Sequence, residues 1–391
     1  MVDRGAVLVT PLAPAQTGNG LAMRAGMLLE ALAGAGPVDV VVVPVSGPAS
    51  AGEWLGSRAR RVVVVDPEPP RTRADVVAQL SDPVARAELA ALEELPARAR
   101  LASVGSARAA AGELEAGVGT VVVLRAYLAP FGVTLARELG GARVVIDADD
   151  DDERLLRAHG DNAAADVYAS LAHTWLAPAD RVLAASAVDA ATMSARYGFA
   201  VDTLPNAVIR PAAVSERPGR DRLLFVGNLT YAPNVDAVRD LVTEVLPAVR
   251  ARVPGVAVDV VGAYDDRLAD LAGHDGVHLA GAVAELDPWY AGADVVVVPL
   301  REGAGTRIKV LEAFAHRRPV VATPAAVAGL AVVDGHSVHL GTTTAELAAH
   351  TVRLLRGPDE ARRTVDDAEA VLSEHYLLDV VVPRARRLLL S

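Results

Sequence analysis

Short, unbroken apolar runs alternate along this chain with longer stretches of helical periodicity. In the first half the runs are "GAVLVT" (5–10), "VDVVVV" (38–43), "RVVVVD" (61–66), "TVVVLR" (120–125), "RVVIDAD" (143–149) and "RVLAAS" (181–186). The pattern restarts with "RLLFVG" (222–227), "VAVDVVG" (256–262), "VHLAG" (277–281), "DVVVVP" (294–299), "PVVAT" (319–323) and "SVHL" (337–340). Valine runs without polar alternation suit strands buried on both faces, hence parallel sheets covered by helices. Strand and helix in alternation predict α/β layers. Two such series predict two Rossmann-like domains, 1–205 and 206–374.

The junction is expected in "NAVIRPAAVSERPGR" (206–220), which is rich in Pro, Ala and Arg and weakly periodic. Residues 50–115 break the pattern, and helices with breaks at Pro67, Pro69, Pro70, Pro83 and Pro96 are expected there. Arg58, Arg60, Arg61, Arg71 and Arg73 cluster in that stretch. Unpatterned charge of this kind usually forms a solvated surface; the alternative is a lip for an anionic or lipid-linked acceptor.

At 391 residues the chain is long for one core. A 52% hydrophobic and 22% charged composition marks a globular chain. The formal net charge of −11 argues against a nucleic-acid binder. Absence of cysteine rules out disulfides and thiolate zinc sites. The N-terminal apolar run is too short for a signal peptide, and no uncharged apolar run reaches about 18 residues, so no spanning helix is expected. A cytoplasmic enzyme is the natural class, with peripheral contact at the inner face of a membrane as an addition.

Four stretches fall where parallel strands end, the place where open α/β sheets bind ligands. After the first strand, Gly18, Asn19 and Gly20 open a helix, either as an anion-binding turn or as an ordinary loop. "VVIDADDDDE" (144–153) packs six acidic residues at a strand end. Asp147 and Asp149 form a D-x-D that could hold a divalent ion. Asp150 to Glu153 suit helix capping instead, and Asp149 is the candidate for a cleft. "LLFVGNLTYAPNVDAV" (223–238) places Gly227 for close backbone approach and Asn228 for a phosphate oxygen, or else forms a plain turn.

The fourth stretch is "EGAGTRIKVLEAF" (302–314). It contains Lys309, the single lysine among 38 basic residues. Thr306 is the expected N-cap, and the first turn carries Arg307 and Lys309. Two cations there oppose the helix dipole, which a bound phosphate would reconcile. Lys309 and Glu312 lie on one helix face, so a plain ion pair is the alternative.

Together these residues resemble a GT-B glycosyltransferase, most similar to family 4 of the retaining enzymes. The specific part runs from 222 to 330 through "LLFVGNLTYAPNVDAV", "VHLAGAVAELDPWYAGADVVVVPL" and "GAGTRIKVLEAFAHRRPVVATPAAVAGL". "TGNGLAMR", "RAYLAP", "VIDADD" and "LPNAV" match more loosely. The resemblance implies two Rossmann-like domains facing across a cleft and a nucleotide-sugar donor held mainly by the second. It implies a sugar, lipid-linked or small-molecule acceptor held by the first. It also implies retention of anomeric configuration, no metal or other cofactor, and a final helix at about 375–391 that packs back onto the first domain. Arg307 and Lys309 would neutralise the diphosphate, and Glu312 would accept from the ribose hydroxyls. Val283 would lie by the nucleobase. Gly18, Asn19 and Gly20 would face the sugar-phosphate, and Asp149 would stand beside the transferred sugar.

Two departures matter. The family's first motif glutamate would fall at 304, which is Ala304, so backbone amides of Gly303, Ala304 and Gly305 are the expected substitute for the sugar. The usual Arg and Lys after the "FVG" strand are replaced by Asn228, Leu229 and Thr230. The expected biology is polysaccharide, glycolipid or natural-product glycosylation. Competing readings are a sugar-nucleotide epimerase or phosphorylase on the same fold, a non-catalytic GT-B subunit, and a metal-dependent GT-A enzyme using Asp147 and Asp149.

Overall fold

A computed structural model describes residues 5–49, 52–66, 95–96, 98–101, 104–115, 117–302 and 307–391. The chain divides into two compact units; the first ends at Pro205 and regains Val382–Ser391, and the second begins at Asn206 and ends at Val381.

The first unit is built on a seven-stranded parallel sheet. Its strands are β1 (Ala6–Thr10), β2 (Val38–Val42), β3 (Arg61–Val64), β4 (Thr120–Leu124), β5 (Arg143–Asp149), β6 (Arg181–Ala184) and β7 (Val201–Thr203), in the order β3-β2-β1-β4-β5-β6-β7. β1, β2 and β4 are buried at every position, as expected for apolar runs covered on both faces. β1 pairs with both β2 and β4, through Ala6 to Val38 and Ala6 to Thr120. The chain therefore turns back across β1, and the crevice between the ends of β1 and β4 is the topological switch point. Helix α1 (Gly20–Ala33) follows β1, and α2 (Asp152–Ala158) follows β5. β7 carries no apolar run and was not legible in the sequence; it exists as an edge paired to β6.

The second unit has a six-stranded sheet. Its strands are β8 (Arg222–Val226), β9 (Ala257–Val261), β10 (Val277–Gly281), β11 (Val295–Val298), β12 (Val320–Ala322) and β13 (His339–Leu340), ordered β10-β9-β8-β11-β12-β13. Here the switch point lies between β8 and β11. Helix α3 (Ala232–Asp240) follows β8, α4 (Asp287–Gly292) precedes β11, and α5 (Ile308–Ala315) follows it. Gly227 and Gly262 follow the ends of β8 and β9, and an added Cβ on Gly262 would sit 1.7 Å from the Gly227 carbonyl oxygen. Only glycine allows that approach, and Gly262 also has φ of +144°.

The residues that open the second unit are fastened to it. The Asp294 carboxylate accepts from the backbone N–H of Gly219, Arg220 and Arg222. Buried Arg318 donates to the carbonyls of Ser215 and Glu216, and to those of Tyr290 and Ala291. The closing helix α6 (Leu378–Leu390) carries Pro383 inside it. In the first unit Arg386 donates to the Ala31 carbonyl and Arg143 to the Leu389 carbonyl.

Of the broken stretch at 50–115, the described parts include helices Glu53–Arg58 and Val104–Glu113. Pro67, Pro69, Pro70, Pro83, Arg71 and Arg73 lie outside the described residues. Arg58 pairs with Glu30 at 2.9 Å, and Arg60 clasps Asp39 through two hydrogen bonds. These arginines serve local ion pairs. Among the described residues no helix is long and apolar enough to cross a membrane.

Candidate active site

In the second unit the site forms at the β8/β11 switch point. β8 leads to Phe225 and then Gly227, and the head of α5, which follows β11, carries Arg307 and Lys309. Arg307 is the N-cap of α5, and no side chain caps it. The expected capping residue, Thr306, lies outside the described residues with Gly303, Ala304 and Gly305.

Lys309 does not pair with Glu312. Its Nζ donates to Asn234 Oδ1 at 2.6 Å and lies 4.6 Å from the centroid of the Phe225 ring. Asn234 Nδ2 donates in turn to the Asn228 carbonyl at 2.7 Å. The loop after β8 is thus linked to the ammonium on α5. A Cβ on Gly227 would lie 3.1 Å from both Lys309 Nζ and Asn234 Nδ2, so glycine keeps the space beside the ammonium open. Burial pushes the ammonium down to about 7; Arg307 adds to the shift and Glu312 opposes it.

Glu312 accepts from the hydroxyl of Tyr290, a buried residue of α4, at 3.0 Å. The Tyr290 ring stacks on His316 with centroids 4.5 Å apart. Burial raises the Glu312 carboxyl to about 7; the Tyr290 hydrogen bond and Lys309 oppose that rise, and Asp287 adds to it. The ammonium and the carboxyl thus lie on one helix face, are held by different partners, and are both shifted toward neutrality by burial.

Asn228 is spent differently from the expectation. Its Oδ1 accepts from Thr230 N–H and Oγ1, which folds the turn after β8. Val283 lies in the loop between β10 and α4, half-buried.

In the first unit the glycine turn opens α1 and the acidic strand end binds arginines. Asn19 caps α1, its Oδ1 accepting from Leu21 N–H at 2.9 Å, and Gly18 has φ of +96° in an exposed turn. Gly20 is the first residue of the helix. The acidic strand end is a buried ion cluster. Arg24 of α1 clasps Asp147 through Nε at 2.8 Å and Nη2 at 2.7 Å, and lies 3.3 Å from Asp149. Arg125, just after β4, reaches Asp149 at 3.2 Å and both Asp150 and Asp152 at 2.5 Å.

Four carboxylates therefore share two guanidiniums. Burial lifts Asp149 to about 7, with Asp150 adding and the two arginines opposing. Asp152 is lifted to about 6, again chiefly by burial. Asp149 also holds φ at +65° and Arg125 at +78°, a left-handed backbone conformation uncommon for residues other than glycine.

The acidic run divides its work. Asp151 is the N-cap of α2 and accepts from Arg154 N–H, and Asp152 and Glu153 occupy the first turn. Capping thus accounts for Asp151, while Asp150 and Asp152 hold Arg125. The D-x-D does not stand open, because Asp147 is fully buried against Arg24. Among the described residues no group of three or more His, Asp or Glu is arranged to hold a metal ion.

Four residues at these sites were not singled out in the sequence: Arg24, Arg125, Asn234 and Tyr290. Arg24 had a signal, a charge inside the otherwise apolar "GLAMRAGML". Asn234 and Tyr290 had none, since each acts through a partner distant in sequence.

Residues 220–357 match the family model described as glycosyl transferases group 1. The sequence matches no curated protein. Solved structures do match over nearly the whole length. Sucrose-phosphate synthase from Thermosynechococcus elongatus superposes with a TM-score of 0.73 at 16% identity, covering 98% of each chain. Anabaena HepE in complex with UDP-glucose gives 0.66 at 15% identity, again over 98% of each. A UDP-forming α,α-trehalose-phosphate synthase from Burkholderia vietnamiensis gives 0.61 at 16%, covering 97% of this chain and 98% of that one. With two parallel-sheet α/β units and a group 1 glycosyl transferase match across residues 220–357, the chain has the GT-B glycosyltransferase fold.

Proposed function

We propose that this protein transfers a sugar from a nucleotide-diphosphate donor to an acceptor hydroxyl, with retention of anomeric configuration and without a metal, as a family 4-like enzyme. The observation that carries the reading is the setting of Lys309. The chain's lone lysine sits at the β8/β11 switch point, is held by a neutral amide, and faces the space left by Gly227. A diphosphate is the ligand that such a place suits: it raises the proton affinity of the ammonium and adds the charge that the head of α5 lacks.

The chemistry follows from the leaving group. Breaking the anomeric C–O bond moves negative charge onto the diphosphate. Lys309 and Arg307, fixed beforehand, act where that charge develops, which is usually the largest catalytic contribution. Glu312, oriented by Tyr290, is the acceptor for the ribose hydroxyls. Gly227 lets the phosphates approach, the backbone of 303–305 is assigned to the sugar, and Val283 borders the base.

The acceptor reading attaches to the first unit. Asp149, a carboxyl that burial raises to about 7, is assigned to the neighbourhood of the transferred sugar. Gly18, Asn19 and Gly20, in the turn that opens α1, are assigned to the donor's sugar-phosphate. The acceptor is a sugar, a lipid-linked intermediate or a small molecule, and the setting is cytoplasmic.

Full-length protein is incubated with UDP- and GDP-sugars and an acceptor panel in excess chelator, and the product is read by NMR. Product with the donor's anomeric configuration is expected. Inverted product, product only with added divalent ion, or donor turnover that needs no acceptor overturns the reading.

A further inference from the structure

The Lys309 ammonium needs something to hold it in place while its charge stays available, and the structure supplies one neutral side chain for that task. We propose that Asn234 is the positioning residue of the donor site. It aims the Lys309 ammonium at the diphosphate, and it must be an amide because a carboxylate there would cancel the charge the donor needs. This inference rests on the donor-site reading above.

Asn234 is only 8% exposed, and its place is set from both ends. Its backbone N–H bonds to the Tyr231 carbonyl at 3.0 Å within the first turn of α3. Its side chain meets a carbonyl on one side and an ammonium on the other. A carbonyl only accepts and an ammonium only donates, so the amide has one workable orientation: nitrogen to Asn228, oxygen to Lys309. No other side chain of this size satisfies both. Aspartate would turn an oxygen toward the Asn228 carbonyl, and leucine would leave both groups without a partner.

The surroundings of the ammonium make the choice of partner matter. From its own helix it faces Arg307 and Glu312, whose effects on it oppose one another. From β8 it meets the Phe225 ring, and from α3 only Asn234. From α4, Tyr290 spends its hydroxyl on Glu312 and lies 3.4 Å from the Lys309 carbonyl. One of the three N–H bonds of the ammonium goes to Asn234, and the other two have no acceptor among the described residues. A formal charge at position 234 would therefore act on the ammonium directly, with little else to offset it.

The test measures binding of UDP and of inorganic pyrophosphate to the full chain by calorimetry from about pH 6 to pH 9. The proteins are wild type, Lys309→Ala, Asn234→Ala and the nearly isosteric Asn234→Asp. Asn234→Ala is expected to weaken both probes about tenfold, and to move the alkaline loss of binding to lower pH, because the ammonium loses an acceptor. Asn234→Asp is expected to move that loss to higher pH while weakening both probes at neutral pH. A residue that merely shaped the loop would change affinity without moving the pH profile.

Two failures remain distinct. If wild type binds neither probe, or Lys309→Ala binds them as wild type does, the donor-site reading is wrong. If Lys309→Ala loses binding while both Asn234 variants keep the wild-type pH profile, the role of Asn234 is wrong. Should Asn234→Ala not fold, Asn234→Asp alone decides, since its two effects have opposite signs.

Discussion

Lys309 and Glu312 share one face of α5 yet form no ion pair; the ammonium goes to Asn234 and the carboxyl takes the Tyr290 hydroxyl. Held apart in this way, each stays available to a ligand. Lys309→Ala is therefore expected to lower turnover by about 10²–10³-fold. The melting temperature should hold within a few degrees, because a desolvated ammonium adds little to the fold. Steady-state kinetics with the accepted donor, alongside thermal melting, checks this; near-normal turnover would rule out the assignment.

The glycine beside the ammonium gives a second expectation. Gly227→Ala brings a methyl group to 3.1 Å from Lys309 Nζ and Asn234 Nδ2. Both are ends of side chains and can yield, so the fold should persist while donor affinity drops about tenfold or more. Gly262→Ala differs in kind, since the added methyl meets the Gly227 carbonyl at 1.7 Å and φ is +144°. That variant should lose folded yield. Soluble expression and nucleotide-induced melting shifts separate the two, and a Gly262→Ala protein as stable as wild type contradicts the close approach.

In the first unit Arg24 and Asp147 are both fully buried and bonded twice to each other. Removing one partner leaves a buried charge, so Asp147→Ala should cost about 3–5 kcal/mol in urea unfolding. Asp149→Asn should cost much less, because asparagine tolerates a φ of +65° and the cluster already carries excess acid. Equal losses in the two variants would mean that Asp149, too, is essential to the fold.

Glu312 makes stability depend on pH in a definite direction. Its carboxyl is raised from 4.5 to about 7 in the folded chain. Between those values the folded state binds more protons than the unfolded one, so this contribution is present at low pH and is lost as pH rises toward about 7. Glu312→Gln removes it, and the variant should gain on wild type between about pH 5 and pH 7. Lys309, lowered from 10.5 to about 7, acts with the opposite sign and in the higher window. Melting curves at the two pH values give the comparison; a constant difference would show that Glu312 is not held as described.

The valine runs settled by themselves that there are two parallel sheets, because only strands covered on both faces can bury apolar residues at every position. The lone lysine and the glycine that closes "FVG" were equally visible, one as a compositional exception and the other as a strand-end signal. What Lys309 bonds to was decided elsewhere. Asn234 lies 75 positions away in the chain and becomes its neighbour only because β8 and β11 are adjacent. In the same way, "DADDDD" divided in the sequence into a cleft candidate, Asp149, and a capping run from Asp150 on. Tertiary packing split it differently, since Arg24 arrives on α1 and Arg125 after β4 to claim different carboxylates. Periodicity records which faces are buried. Partner choice depends on strand order, and no local pattern carries that.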